Sequence, residues 1–170
     1  MKGRILFLIA ACLAGCSPRQ TLTLIPSDSR DSGPEGHYRS VDVKMNPYQV
    51  KLVTVSGKKE TRPANEVWGY KDAKGHRYRL YRGVIYEVLQ EKQVTIYRES
   101  SFGEVWRNNY YYSLTPEGEL FYLNRKNLGI SFAGNACVQK LLEEMPSRSW
   151  LEVTGSGNYR LVDACEGCGK

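Results

Sequence analysis

The feature that most constrains the fold is a series of short strand-like runs, which recur every eight to twelve residues between residues 48 and 123. In the first run, Tyr48, Val50 and Leu52 alternate with residues of the opposite face, as in a half-buried strand. Turn-forming residues separate the runs, and no helical pattern interrupts them. The chain is therefore predicted to be mainly β (α+β), with an antiparallel meander that forms a barrel or a sandwich.

Composition agrees with this prediction. Tyrosine supplies 12 aromatic residues and glycine 16 residues, which favours strands and turns over disorder or a helical bundle. A length of 170 residues suits one domain. The predicted strands lie at residues 48–55, 60–62, 66–71, 76–82, 84–90, 94–98, 105–114, 119–123, 150–153 and 158–163.

One or two short helices are predicted near the C-terminus. Four apolar residues follow the i, i+3, i+4, i+7 spacing of one helix face. Asn135 suits the N-cap of this helix, and Pro146 marks its end. Residues 126–132 form a second, shorter candidate with Asn124 as its cap. The apolar stripe consists of Val138, Leu141, Leu142 and Met145.

The N-terminal segment has the features of an export signal. Lys2 and Arg4 precede an apolar run at residues 5–13, which is shorter than the roughly 20 residues that span a bilayer. A positive flank before a short apolar run is typical of a secretory signal peptide. We therefore predict that residues 1–15 are a signal peptide.

A specific motif ends this segment: Leu13, Ala14, Gly15 and Cys16. An aliphatic residue, two small residues and a cysteine resemble the lipobox of bacterial lipoprotein precursors. The resemblance implies that Cys16 becomes the acylated first residue of the mature protein. Several acyl chains make such an anchor effectively permanent, because each buried methylene contributes about 0.8 kcal/mol. The alternative is an ordinary signal peptide whose Cys16 forms a disulfide.

The segment after Cys16 is predicted to be a tether. Residues 26–36 contain no large apolar side chain, so they are expected to be flexible. A flexible coil of the roughly twenty residues between Cys16 and Tyr38 would let the domain stand off the membrane by roughly 25 Å. Residues 16–37 are therefore assigned to the lipid anchor and tether, and residues 38–170 to a single β-rich domain. As an alternative, residues 21–25 form a short strand and shorten the tether.

The partners expected from this reading are a membrane and an envelope component. In some of the bacterial lipoproteins that this segment resembles, an aspartate after the acylated cysteine is a signal for retention in the inner membrane. Ser17 occupies that position here, so the resemblance implies the outer membrane, facing the periplasm. Removing Lys2 and Arg4 with the signal peptide lowers the net charge from +6 to +4. This charge is too weak to indicate nucleic-acid binding.

Candidate chemistry is sparse. Only His37 and His76 are present, and neither lies in a pattern typical of a catalytic or zinc site. We predict no catalytic residue, no metal site and no cofactor, and therefore a non-catalytic binding or structural module.

Three cysteines remain in the predicted mature domain: Cys137, Cys165 and Cys168. In an oxidising compartment they are expected to form a disulfide, either inside the tail or from Cys137 to one of the other two. The longer bridge would stabilise the fold by roughly 3 kcal/mol. The CxxC spacing of Cys165 and Cys168 also permits an alternative function as a periplasmic thiol–disulfide redox protein.

A basic cluster is the remaining candidate site. On a strand, Arg77, Arg79 and Tyr81 share one face, and Arg82 follows them. Arginine suits phosphate and carboxylate groups, and tyrosine rings suit sugars. We therefore consider these four residues a possible polyanion-binding site for an acidic polymer of the envelope. The alternative is a solvated sheet face whose charges protect an edge.

A second resemblance concerns the mature domain from about Val50 to Met145. Its loose motifs are similar to those of uncharacterised small β-rich envelope lipoproteins. The resemblance implies a β-meander followed by one or two short helices, and it implies no activity. The residues that carry it are Val67 to Tyr70, Tyr78, Arg79, Tyr110 to Ser113, Gly118 to Phe121, Asn127 and Leu128.

Overall fold

A computed structural model of the protein describes residues 22–26, 35–100 and 109–167. Within these residues, ten strands form one antiparallel sheet and three short helices lie near the C-terminus, which confirms the mainly β prediction. The strands are β1 (Leu22–Pro26), β2 (Glu35–Met45), β3 (Tyr48–Thr54), β4 (Lys59–Pro63), β5 (Val67–Lys71), β6 (Arg77–Tyr81), β7 (Val84–Glu91), β8 (Thr95–Glu99), β9 (Tyr110–Ser113) and β10 (Phe121–Tyr122). The helices are α1 (Arg125–Ser131), α2 (Ala136–Glu144) and α3 (Arg160–Gly167).

The strands follow chain order in the sheet with one exception. The order is β10-β9-β8-β7-β6-β5-β1-β2-β3-β4, so the first strand lies in the middle, between β5 and β2. The edges, β10 and β4, are not paired with each other in the described part of the chain, and the sheet is open rather than a closed barrel.

The position of β1 corrects the prediction for the tether. Leu22–Pro26 forms a strand whose Leu24 is fully buried, so a flexible tether is wrong for these five residues. The alternative of a short strand is correct. In addition, β2 begins at Glu35, before the predicted domain boundary at residue 38. The signal peptide, Cys16 and residues 17–21 and 27–34 of the predicted tether lie outside the described residues.

The long strand β2 was absent from the prediction because its alternation is interrupted. Tyr38, Val41 and Val43 face the same core, but the pairing of β2 with β3 shifts register between Tyr38 and Ser40. One extra residue there reverses the parity, so the apolar residues no longer alternate in sequence. The predicted strand at 105–114 is seen at Tyr110–Ser113, and its residues 105–108 lie outside the described residues.

Two apolar cores lie on one face of the sheet. The first, which we call the strand core, is built by β1, β2, β3, β5, β6, β7 and the short helical turn after β4, and it contains Leu24, Tyr38, Val50, Leu52, Ala64, Val67, Leu80 and Ile85. The second, the helical core, lies between β8, β9 and the helices and contains Val94, Ile96, Tyr112, Leu128, Val138, Leu141, Leu142, Trp150, Leu161, Val162 and Cys165.

The strand core forms because the sheet curls back on itself. Val50 on β3 and Ile85 on β7 belong to the same core, although four strands separate β3 from β7 in the sheet. The Tyr48 hydroxyl accepts a hydrogen bond from the Gly83 N–H at 3.0 Å, which joins the start of β3 to the β6–β7 turn. The apolar face is therefore covered by other strands of the same sheet.

The helices cover the other half of the same face. Asn124 and Asn135 cap α1 and α2 as predicted, each accepting a backbone N–H from three residues further along. The predicted strand at 158–163 is wrong, because α3 begins at Arg160, and the one at 150–153 is reduced to a single bridge between Val153 and Tyr159. None of the helices in the described ranges is long and apolar enough to cross a membrane.

An ion pair separates the two cores. Glu87 on β7 and Arg98 on β8 are directly paired in the sheet, between Ile85 of the strand core and Ile96 of the helical core. The Arg98 Nη2 lies 2.5 Å from Glu87 Oε2, and Arg98 Nε also donates to this oxygen at 3.0 Å. The apolar surface is thus divided by a charged pair.

Candidate binding cleft

The predicted basic cluster lies on the sheet face opposite the two cores. Strand β6 places Arg77, Arg79 and Tyr81 on one face, as the alternation predicts. Arg82 follows in a two-residue turn with Gly83, and both residues have positive φ, 48° and 82°. This backbone is that of a type I′ hairpin turn, which is compatible with the twist of the flanking strands.

Arg79 differs from the expectation of a solvated stripe, because only 3% of it is exposed. Its Nη1 donates to the Tyr97 hydroxyl at 3.2 Å. Its Nη2 donates to the carbonyl oxygens of Glu117 and Gly118 at 3.1 and 2.7 Å. The loop between β9 and β10 therefore folds over this face of the sheet and is held there by the guanidinium.

Arginines and aromatic rings alternate along this face in a set that we call the arginine–aromatic ladder: Arg77, Trp68, Arg79, Tyr81 and Arg82. The guanidinium carbon of Arg77 lies 5.2 Å from the Trp68 ring centroid, and that of Arg79 lies 6.0 Å from it. The Tyr81 ring lies between Arg79 at 4.9 Å and Arg82 at 5.1 Å. Cation–π contacts of this kind strengthen when they are desolvated.

A β-bulge places Trp68 in this ladder. Ile25 pairs with Gly69 and Pro26 pairs with Val67, so Trp68 is the extra residue of β5. The Trp68 Nε1 donates to the carbonyl oxygen of Pro116 at 3.2 Å, which gives the covering loop a second attachment. A Cβ at Gly69 would lie 1.9 Å from the carbonyl oxygen of Tyr78, so only glycine fits beside Trp68.

The arginines of the ladder differ in their acidic partners. Arg77 forms an ion pair with Glu91 at 2.5 Å, and Arg82 forms a longer one with Glu119 at 3.4 Å. Arg79, the buried one, is in no ion pair among the described residues, and its hydrogen bonds go to neutral oxygens. Within the described residues the buried guanidinium therefore has no carboxylate at ion-pair distance, although Glu117 lines the same cleft.

A cleft of about 470 Å³ opens beside Arg79. Its lining includes Tyr48, a residue that is 40% exposed, and the exposed Asn65, together with Arg82 and Glu117. Its volume is within the range of small-molecule sites. The complete lining consists of Tyr48, Ala64, Asn65, Val67, Trp68, Arg79, Leu80, Tyr81, Arg82 and Glu117.

The predicted polyanion site is thus brought together only in part. Arg79, Tyr81 and Arg82 line the cleft, whereas Arg77 lies outside its lining, at the other end of the ladder. The sequence did not indicate Tyr48 or Trp68. Gly69, directly after Trp68, is a sequence signal for the bulge. Tyr48 reaches the cleft because the sheet curls, and this curl has no local sequence signature.

The cysteines occupy different environments. Cys137, at the start of α2, forms a disulfide, and its partner lies outside the described residues because Cys165 is free. The predicted bridge from Cys137 to Cys165 is therefore not formed. Of the two partners predicted for Cys137, Cys168 remains. Cys165 is fully buried on α3, and desolvation by burial raises the pKa of its thiol to about 12.

The histidines are not part of the cleft lining. His37 is exposed, and the His76 Nδ1 lies 3.2 Å from Asp72 Oδ2. Burial acts to raise the pKa of Asp72, but the N–H groups of His76 and Lys74 donate to the carboxylate and lower it overall. The described ranges contain no group of three or more His, Cys, Asp or Glu side chains arranged to hold a metal ion.

Comparison with protein-family models, curated proteins and solved structures finds no match for this chain.

Proposed function

We propose that the protein is a lipid-anchored, non-catalytic binding module of the bacterial cell envelope, and that the cleft beside Arg79 is its binding site. The observation that carries the binding role is the cleft itself, which joins an exposed aromatic ring to two guanidinium groups. Aromatic and arginine side chains dominate the energetics of many recognition sites. Its partner is an acidic polymer or a protein of the envelope.

The anchor is proposed from the lipobox-like residues that end at Cys16. Strand β1 begins at Leu22, so six residue steps separate the acylated cysteine from the sheet. A chain of that length spans at most roughly 20 Å when fully extended. The domain is therefore held close to the membrane surface, which we take to be the outer membrane on its periplasmic side.

Two further features support an envelope protein with an accessible cleft. The disulfide at Cys137 suits an oxidising compartment such as the periplasm. The cleft residues Val67 and Trp68 lie beside the Pro26 end of β1, whereas the chain from the anchor enters at its Leu22 end. The binding site is thus at the end of β1 that is further from the anchor.

The anchor is tested by replacing Cys16. We expect Cys16→Ser to abolish incorporation of a clickable palmitate analogue and to leave the precursor uncleaved. Cys12→Ser, which changes a cysteine inside the predicted signal peptide, is the matched control and should be labelled normally. Acylation of the Cys16→Ser protein would contradict the proposal.

The binding role is tested by filling the cleft. Asn65→Trp adds bulk at the exposed rim of the cleft without changing the charge, and Gln93→Trp adds a similar ring, also without a change of charge, in the β7–β8 turn outside the lining. We expect the acylated protein in detergent to co-sediment with purified bacterial cell-wall sacculi and outer-membrane fragments, and Asn65→Trp to reduce this severalfold. Equal sedimentation of both variants would contradict a role for the cleft.

The redox alternative predicts a reactive thiol at Cys165. A thiol whose pKa is about 12 stays protonated at neutral pH, and its burial hides it from a substrate disulfide. We expect iodoacetamide to modify Cys165 only as fast as the protein unfolds at pH 8. Because the folded-state pKa exceeds the ordinary value of 9.0, this group also makes the protein less stable as the pH rises from 9.0 to about 12. Fast alkylation of the folded protein would instead support the redox function.

A further inference from the structure

We propose that the cleft recognises an acidic saccharide, whose carboxylate binds Arg79 and whose sugar ring contacts Tyr48. This inference rests on the proposed function of the cleft and names the class of its ligand. It is argued from the charge state of the buried arginine, from the way the ladder fixes that arginine, and from the exposed residues at the rim.

The charge of Arg79 is the first step. A guanidinium has five N–H groups, and the three hydrogen bonds of Arg79 leave two of them without a partner among the described residues. A buried charge is costly unless it is paired, and neutral carbonyl oxygens balance it only in part. An anion that enters the cleft would therefore meet a desolvated cation whose field is weakly screened.

The second step is that Arg79 is fixed before a ligand arrives. Three rings surround its guanidinium carbon, with centroids at 4.9 Å for Tyr81, 5.6 Å for Tyr97 and 6.0 Å for Trp68. The Tyr97 hydroxyl is itself held by Ser113 at 3.0 Å. A site that is already ordered loses less conformational entropy on binding, so more of the interaction energy appears as affinity.

Arg82 provides a second cation at the mouth of the cleft. Its side chain is 74% exposed, and its only ion pair in the described part of the chain is the 3.4 Å contact with Glu119, whose side chain is 54% exposed. An exposed pair of this kind contributes little, so a ligand carboxylate can replace Glu119 at small cost. Together the two arginines on either side of the Tyr81 ring select for negative charge.

The rim favours a sugar over an extended acidic peptide. The Tyr48 ring is exposed on one side, while its hydroxyl is fixed to the Gly83 N–H, so the ring offers a rigid apolar surface. Aromatic surfaces of this type pack against the C–H face of a sugar ring. The cleft volume of about 470 Å³ suits one or two such units rather than a folded partner.

The test measures binding of defined probes to the acylated full-length protein in detergent micelles by isothermal titration calorimetry. The probes are trigalacturonate, its neutral counterpart maltotriose, triglutamate and inorganic tripolyphosphate. We expect trigalacturonate to bind and to weaken with added salt, and maltotriose to bind at least about tenfold more weakly, as loss of a charged hydrogen bond implies. Stronger binding of triglutamate or of tripolyphosphate than of trigalacturonate would overturn the saccharide assignment.

Variants locate the interaction. Arg82→Met changes an exposed side chain and should weaken trigalacturonate binding about fivefold to tenfold, and Arg79→Met should weaken it more. Arg148→Met is the matched control, because Arg148 is an exposed arginine outside both the ladder and the cleft lining, and this variant should bind normally. If Arg79→Met fails to fold, Arg82→Met still decides the question, and unchanged binding by it would overturn the proposal. Absence of trigalacturonate binding would also overturn it, while the effect of Asn65→Trp on sacculus binding would still test the proposed function separately.

Discussion

The two halves of the sheet bury the same apolar face in different ways. In the half that ends at β10, three helices cover the face and form the helical core around the fully buried Trp150. In the other half no α-helix of the described residues takes part, and the curl of the sheet brings Leu52 of β3 and Leu80 of β6 into the strand core. The comparison teaches that strand curvature can replace a helical layer, provided that the sheet is long enough to return on itself.

The difference also explains where the cleft forms. A helical layer covers its face continuously, whereas a curled sheet leaves an opening where its strand ends meet. Tyr48 at the start of β3 and Arg82 after β6 lie at such a meeting point, and both line the cleft. The cleft is thus a consequence of the way the strand core closes.

The largest predicted effect comes from removing the central side chain of the helical core. We expect Trp150→Ala to lower the free energy of unfolding by about 4 kcal/mol, since a large buried ring leaves a cavity. Leu52→Ala, its counterpart in the strand core, should lower it by about 3 kcal/mol. Urea unfolding followed by circular dichroism should show one transition in each case, because β7 and β8 join the two halves. Two separate transitions would show that the halves fold independently.

The next effect tests the bulge that supplies Trp68 to the ladder. We expect Gly69→Ala to cost about 3 kcal/mol, because its Cβ would overlap the Tyr78 carbonyl oxygen. Gly129→Ala on α1 is the matched control, since an added Cβ there has no atom within 4 Å. It should stabilise the protein by up to about 1 kcal/mol through helix propensity. Thermal unfolding measures both, and a tolerated Gly69→Ala would contradict the close strand approach.

A smaller effect tests the charged boundary between the cores. Glu87→Gln removes the carboxylate that Arg98 contacts, and we expect a loss of about 1 kcal/mol because the pair is partly exposed. Since the interaction is electrostatic, the loss should shrink when the stability is measured in about 1 M salt. A loss that does not depend on salt would mean that Glu87 acts through packing instead.

The last prediction, whose expected effect is similar in size to that of Glu87→Gln, concerns a helix end in the helical core. Asn135→Ala removes the side-chain oxygen that accepts the Val138 N–H at 3.0 Å, and we expect a loss of about 1 kcal/mol. Lys140→Ala, on the exposed side of the same helix, should change the stability by only a few tenths of that, since its contact with Glu144 is 3.9 Å long. Equal effects of the two changes would contradict the capping role.

Local patterns predicted most strands between residues 48 and 98 and the first two helices, because alternation, turns and caps act over a few residues. They failed where the parity of a strand is interrupted, as in β2, and where an apolar spacing suits both a strand and a helix, as for Leu161, Val162 and Cys165 in α3. The candidate site was predicted only as a row of arginines. Burial of Arg79 depends on the loop that contains Glu117, which lies far away in sequence, and alternation along one strand carries no information about such a contact.

The central position of β1 has a mechanical consequence. If Cys16 is fixed in a membrane, any pull between the membrane and a bound polymer enters the domain at Leu22, along the axis of a strand that is hydrogen-bonded on both sides. Separating β1 would require the bonds to β2 and β5 to break together in shear, rather than one after another as at a frayed edge. An outer strand that carried the anchor would peel away from the sheet at a lower force. The position of β1 inside the sheet therefore gives the domain a mechanically stronger attachment to the membrane.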